Sequence, residues 1–223
     1  MTALISMRDN LRWSKLHLIT DLGAGRGVSG DDLPRFLGDL FDAGVDLVQL
    51  RDPALGANRA LVEKVHEVAF ERRKLVVVGR DAAAAAAQQA DLLHLGASDG
   101  DLGQARRRLH EFALVGRSVH TVAQLEHAAR EADYAYVGPV FAEDGPVPGL
   151  ELVRAAAARG DEPVWAAVGG ITPANLEQVL DAGARRVAVS AAVLTAQDPV
   201  AAAGALADAI RERVGLGADL PQG

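Results

Sequence analysis

The chain has 223 residues, of which 49% are hydrophobic and 24% are charged, and this is enough apolar material for the core of one compact domain. Its formal charge of -7 gives no general attraction to nucleic acid or to acidic membranes, so neither is expected as a partner. The chain contains no cysteine, which excludes disulfides, thiolate chemistry and zinc held by cysteine.

The two ends of the chain differ from the part between them. Residues 1–15 carry charged side chains between short apolar pieces, so they lack the continuous apolar region of a signal peptide, and we expect an arm or a short helix there. No later stretch is apolar enough to cross a bilayer, and the expected location is cytoplasmic. We expect a flexible tail at 215–223, which leaves 16–214 as a single domain.

From Leu16 onwards, short runs rich in Val, Leu and Ile alternate with Ala-rich amphipathic stretches, a pattern typical of buried parallel strands joined by helices. The predicted strands are 16–20, 46–50, 75–78, 92–95, 114–115, 134–137, 164–168 and 186–189. Asp-Ala-Gly marks a helix end at 42–44 and again at 181–183. Eight such units predict a (β/α)8 TIM barrel within the α/β class, with an open, doubly wound sheet as the alternative.

Ligands of such barrels bind where the strands end, so the residues after each strand are the candidates for a site. In the sequence VQLR at 48–51, strand alternation directs Gln49 and Arg51 to the same side. We expect both to contact a ligand. The alternative is that Arg51 forms an ion pair at the rim with Asp52 or Asp81.

The loops after strands 7 and 8 contain Gly169-Gly170 and Val189-Ser190. Adjacent glycines allow the backbone to approach an anion closely, and the helices that follow direct unpaired N–H groups to the same place. We therefore predict that these four residues bind a phosphate group. The alternative is a tight turn that needs glycine for steric reasons alone.

The fifth strand leads into GRSVHT at 116–121, where alternation places Ser118 and His120 on one face. Histidine exchanges protons near neutral pH, and a neighbouring hydroxyl can orient a ligand. We predict a catalytic role for His120 and a substrate-binding role for Ser118. The alternative for His120 is a structural one, as a helix cap or as the partner of a core carbonyl. For His94, a structural role and substrate contact are equally compatible with the sequence.

Six motifs in this order resemble those of the thiamine phosphate synthase and TenI superfamily. They are VQLR at 48–51, HLG at 94–96, GRSVHT at 116–121, GPVF at 138–141, GGI at 169–171 and VSA at 189–191. The resemblance covers nearly the whole chain. It implies a barrel of thiamine biosynthesis that binds a small phosphorylated thiazole, with Gly138 among the binding residues.

Synthases of this superfamily join an aminopyrimidine diphosphate to a thiazole phosphate, and they use Mg²⁺ and basic groups to stabilise the departing pyrophosphate. The chain differs from them at several of the positions involved. Pro53 stands in place of a lysine, Gly79-Arg80 in place of Asn-Asp, and Glu143 and Asp144 in a loop where the family has threonines and a lysine. Like charges in that loop would oppose a pyrophosphate. Asp99 is the one metal carboxylate that remains.

The TenI branch is more similar at these positions, since it also has Gly-Arg after strand 3 and lacks the pyrophosphate apparatus. The resemblance therefore implies a thiazole tautomerase, an isomerase that moves a proton on thiazole carboxylate phosphate, with Arg80 among its binding residues and no cofactor. Two alternatives stay open. One is a divergent thiamine phosphate synthase that holds Mg²⁺ through Asp99, together with Asp81, and the other is a non-catalytic binder or regulator. The alanine-rich helices are compatible with a homodimer.

Overall fold

The computed structural model describes residues 6–20, 30–51, 58–141 and 149–215. Its eight strands are β1 Leu16–Ile19, β2 Leu47–Leu50, β3 Leu75–Gly79, β4 Leu92–Leu95, β5 Leu114–Val119, β6 Tyr134–Val137, β7 Val164–Val168 and β8 Val187–Val189. Each strand pairs in parallel with the next, and β8 pairs with β1, so the sheet is closed. The predicted (β/α)8 barrel is confirmed, and the open sheet is excluded.

Helices surround the barrel, and all but the first follow one of its strands. They are α1 Met7–Trp13, α2 Leu33–Asp42, α3 Arg59–Glu71, α4 Ala82–Ala87, α5 Leu102–Arg106, α6 Val122–Glu131, α7 Gly149–Arg159, α8 Leu176–Asp181, α9 Ala191–Leu194 and α10 Pro199–Val214, with a 3₁₀ turn at Gly30–Asp32. At several helix starts a polar side chain accepts a hydrogen bond from a backbone N–H of the first turn, for example Asp81 before α4 and Thr121 before α6. None of the helices in the described ranges is long and apolar enough to span a membrane.

The two Asp-Ala-Gly segments end helices as predicted. Gly44 follows α2 with φ of 115° and Gly183 follows α8 with φ of 102°. A side chain is strained at such angles, and a Cβ on Gly44 would also lie 2.7 Å from Cβ of Ala207. Glycine is therefore required at this turn by both conformation and space.

The fifth strand is the main difference from the predicted strands, because the prediction stopped at residue 115 and β5 continues to Val119. Gly116 and Ser118 lack the apolar side chains by which a strand is recognised. Gly116 faces the barrel interior, where a Cβ would lie 2.2 Å from Cζ of Tyr134. The Tyr134 ring therefore fills the space that a side chain at 116 would need. The other predicted strand ends agree with the structure to within one residue.

The helix α1 packs beneath the barrel. Its Leu11 is buried among the residues of the barrel interior. The buried Arg186, which precedes β8, donates to the carbonyl of Arg12 and pairs with Asp161 at 2.7 Å. The N-terminal end of the barrel is thus covered, and ligands have access from the opposite end. Of the predicted tail, residues 216–223 lie outside the described residues.

Candidate active site

A cavity of about 550 Å³ opens at the C-terminal ends of the strands. The structure brings six of the predicted site residues together in its wall, namely Gln49, Arg51, Arg80, Ser118, His120 and Gly169. They come from the ends of strands or from the loops directly after them, where parallel strands of a closed barrel converge.

The charged side chains of the cavity wall differ in sign from the excess charge of the protein. Among the described residues that line it are two arginines but no carboxylate, although the chain as a whole has a formal charge of -7. Two guanidinium groups in one wall favour an anionic ligand. The arrangement agrees with the prediction of a phosphorylated substrate, which stays a prediction.

His120 is held at the rim by two bonds. Its backbone N–H donates to Oε1 of Gln124 at 2.7 Å, and its Nδ1 bonds to the carbonyl of Gly138. A carbonyl oxygen only accepts, so Nδ1 carries the hydrogen and the neutral ring has its lone pair on Nε2. This tautomer can take a proton from a ligand. Gly138, predicted to bind substrate, positions His120 through its carbonyl and is not itself among the lining residues.

His94 lies at the floor of the cavity and is buried. Its Nε2 is 3.0 Å from Oγ of Ser118, and its ring centroid is 4.3 Å from that of Tyr136. Burial lowers the pKa of His94 to about 3, with a further contribution from Arg117. His94 is therefore neutral at physiological pH, and the Ser118 hydroxyl is bonded to it.

Three polar atoms beneath the cavity lack a hydrogen-bond partner within the described part of the chain. They are Oε1 of Gln49, Nδ1 of His94 and the hydroxyl of Tyr136. Burial raises the pKa of Tyr136, so its hydroxyl stays protonated and can donate. Buried polar groups without a partner are costly, which makes this floor suited to a polar ligand or to ordered water.

Arg80 forms an ion pair with Asp99. Its Nε and Nη2 each lie 2.9 Å from an oxygen of Asp99, and the backbone N–H of Gly96 donates to the same carboxylate at 2.8 Å. The hydrogen bonds from Arg80 are the main reason why the pKa of Asp99 is lowered. Asp99 is therefore ionised at neutral pH and is paired with a guanidinium group.

The loop after β7 needs glycine for steric reasons, as the alternative to a phosphate site proposes, and phosphate binding there stays a prediction. Gly169 and Gly170 have φ of 104° and 63°, and a Cβ on Gly170 would lie 2.6 Å from the carbonyl oxygen of Phe141. Asn175 braces this turn, since its side chain accepts from the N–H of Thr172 at 2.8 Å and donates to the carbonyl of Gly170 at 2.9 Å.

Three residues of the predicted phosphate site lie outside the cavity wall. Val189 is buried in the core between barrel and helices, so only its backbone could reach a ligand. Ser190 is partly exposed at the start of α9 and makes no side-chain capping bond. Gly170 follows Gly169, which does line the cavity. Their role in phosphate binding stays a prediction.

The proposed rim ion pair of Arg51 with Asp81 does not form. Asp81 instead accepts from the N–H groups of Ala83 and Ala84 and caps α4. The backbone N–H of Arg51 donates to Oγ1 of Thr20 at 3.0 Å, which fixes the end of β2. Asp52, Pro53, Glu143 and Asp144 lie outside the described residues.

Sequence reasoning missed several residues of the site. Gln124 and Tyr136 line the cavity, and Asn175 holds the Gly170 turn. Gln124 lies in the first turn of α6, three residues after the N-cap Thr121, and this Thr-x-x-Gln pattern of a helix start could have indicated it. Tyr136 alternates with Tyr134 and is indistinguishable from a core residue in the sequence.

Fold and site together define a class of protein, a (β/α)8 barrel with a cavity at the C-terminal ends of its strands, among whose lining residues are two arginines. The family model described as thiamine monophosphate synthase matches residues 16–193. The chain belongs to this family, which places it among the enzymes of thiamine biosynthesis.

Curated relatives carry a more specific name. The chain is 42% identical over 219 residues to a thiamine-phosphate synthase of Mycobacterium sp. (strain JLS), covering 91% of this chain and 95% of that protein. It is 39% identical over 212 residues to a thiamine-phosphate synthase of Streptomyces avermitilis, covering 92% and 97%. Among solved structures, a thiamine phosphate pyrophosphorylase from Pyrococcus furiosus matches with a TM-score of 0.80 and 25% identity, covering 92% of this chain and 99% of that chain. These relatives favour the transferase alternative over the tautomerase.

Proposed function

We propose that the chain is a thiamine-phosphate synthase, a transferase that joins an aminopyrimidine diphosphate to a thiazole phosphate with release of pyrophosphate. The observation that carries this proposal is the identity of about 40% along some nine tenths of the chain to proteins of that name. A basic cavity at the C-terminal end of the barrel, of about 550 Å³, supports it.

In this reaction a bond forms between the thiazole nitrogen and the pyrimidine methylene carbon, while the bond from that carbon to the diphosphate oxygen breaks. The electron pair leaves with pyrophosphate. Arg51 and Arg80 line the cavity and are the candidates to stabilise that negative charge. The loops at Gly169-Gly170 and Ser190 are the candidates to hold the thiazole phosphate.

The described residues do not fit the Mg²⁺ that synthases of the superfamily use. Both oxygens of Asp99 accept hydrogen bonds from Arg80, and Asp81 caps α4. Within residues 6–20, 30–51, 58–141 and 149–215, no three His, Asp or Glu side chains are grouped to hold a metal ion. We therefore assign no step to a metal.

The ion pair between Arg80 and Asp99 favours a second candidate function, the thiazole tautomerase, because that reaction needs no metal at Asp99. That reaction needs a phosphate site and a group that moves a proton, and it releases no pyrophosphate. His120 has the tautomer required to accept a proton at Nε2. Arg51 or Arg80 would then hold the carboxylate of the substrate.

Two turnover assays on the purified chain separate these functions. One supplies aminopyrimidine diphosphate and thiazole phosphate and measures thiamine phosphate and pyrophosphate. The other supplies thiazole carboxylate phosphate and follows its isomerisation. We expect thiamine phosphate to form. Isomerisation alone would replace the synthase by the tautomerase, and binding without either turnover would contradict both and leave a non-catalytic binder.

A further inference from the structure

Arg80 has a backbone conformation that arginine rarely adopts. Its φ is 66°, in the left-handed region, and its N–H donates to the carbonyl of His94 at 2.7 Å. Glycine would take this conformation without strain, whereas a residue with a Cβ adopts it at a cost in free energy. Such strain is concentrated at functional sites, where the surrounding structure enforces it.

The side chain of Arg80 is fixed by the loop that it meets. Asp99 accepts hydrogen bonds from both Nε and Nη2 of Arg80. The loop that contains Asp99 is held by Arg117, which donates to the carbonyls of Ala97, Asp99 and Gly100. A guanidinium group has five N–H donors, and the pair with Asp99 uses two. The side chain is 61% exposed, so further donors are accessible at the cavity.

The ion pair also removes a carboxylate from metal binding. Asp99 is 20% exposed and accepts three hydrogen bonds, and no carboxylate is among the described residues that line the cavity. Proteins usually hold a hard cation such as Mg²⁺ through one or two carboxylates, and none is among these lining residues. An anion would instead find the N–H groups of Arg80 already oriented.

We propose that Arg80 is a built-in cation that binds an anionic group of the substrate directly, in the role that a divalent metal held by Asp99 would otherwise have. Only the identity of that anion rests on the proposed function. For the synthase it is the diphosphate, and for the tautomerase it is the carboxylate. In both cases Asp99 is a positioning residue, which orients the guanidinium group.

The test uses Arg80→Gly, because glycine relieves the backbone strain and the variant is expected to fold. Arg73→Gly is a matched control, since Arg73 is an exposed arginine with φ of 55° outside the cavity wall. Calorimetry measures the affinity for pyrophosphate with EDTA and with Mg²⁺, and thermal unfolding confirms that both variants are folded. We expect Mg²⁺ to change the affinity of the unaltered chain for pyrophosphate by less than about threefold. We expect Arg80→Gly to weaken the affinity for pyrophosphate by about tenfold or more.

A second arm compares thiazole carboxylate phosphate with thiazole phosphate, which lacks the carboxylate. If Arg80→Gly weakens only the carboxylated ligand, the anion is the carboxylate; if it weakens only pyrophosphate, the anion is the diphosphate. Equal affinities of Arg80→Gly and Arg73→Gly for every ligand would overturn the proposal, and so would pyrophosphate binding that needs Mg²⁺. If no thiamine phosphate forms but binding depends on Arg80, the proposed function fails and this inference stands.

Discussion

Lowering the pH from about 7 to about 4.5 is expected to reduce the free energy of unfolding by about 2.5 kcal/mol for each of two histidines in the barrel. Burial is the main reason why the pKa of His17 and that of His94 are lowered to about 3. In the unfolded chain both titrate near the ordinary value of about 6.5. Between these values the unfolded chain binds protons that the folded chain does not. The stabilisation that the two buried neutral histidines give to the folded chain is therefore complete above a pH of about 6.5, and it is lost as the pH falls towards 3.

Urea unfolding across this pH range measures the effect. His17→Gln is expected to remove the part of the pH dependence that is due to His17, and His127→Gln is the matched control. His127 is 59% exposed on α6 and lies outside the cavity wall. Burial lowers the pKa of His66 as well, so a smaller dependence in the same direction persists in every variant. A pH dependence identical in His17→Gln and in the unaltered chain would contradict the burial of a neutral His17.

If the chain isomerises thiazole carboxylate phosphate, His120→Gln is expected to lower that rate by about 10² to 10⁴, the usual contribution of general acid-base catalysis. The amide of glutamine is polar but does not take up a proton at neutral pH, so the variant removes the group that would move the proton. Synthesis of thiamine phosphate needs no proton transfer at Nε2. We expect it to change by less than about tenfold in the same variant.

Turnover at saturating substrate, measured beside the KM, separates the roles of His120. A higher KM with unchanged turnover would make it a positioning residue in either reaction. His127→Gln introduces the same substitution away from the cavity and is expected to leave both rates unchanged. A loss of thermal stability in His120→Gln that is absent in His127→Gln would support a structural role.

The barrel could be predicted from the sequence because its signals are local. Apolar runs such as 92–95, 134–137 and 164–168 match the observed strands residue for residue. The polar end of β5 could not be predicted, since Gly116 is there to make room for the ring of Tyr134 on the neighbouring strand. That constraint joins two residues 18 positions apart and appears only when the strands are paired.

The site could be predicted only in part, for the same reason. Strand alternation indicated Gln49 and Arg51, and it also indicated Ser118 and His120, all four of which line one cavity. Which side chains bond to one another could not be read from alternation. Ser118 bonds to His94, and Arg80 pairs with Asp99 across two loops.

The crystal structure of this chain with thiazole phosphate would test the central claim most directly, namely that a phosphorylated ligand binds at the C-terminal end of the barrel. We predict the phosphate within about 3.2 Å of the backbone nitrogens near Gly170 and Ser190, with the ring towards His94 and Tyr136. A phosphate bound at the N-terminal end of the barrel beside α1, with no density in the cavity, would contradict it.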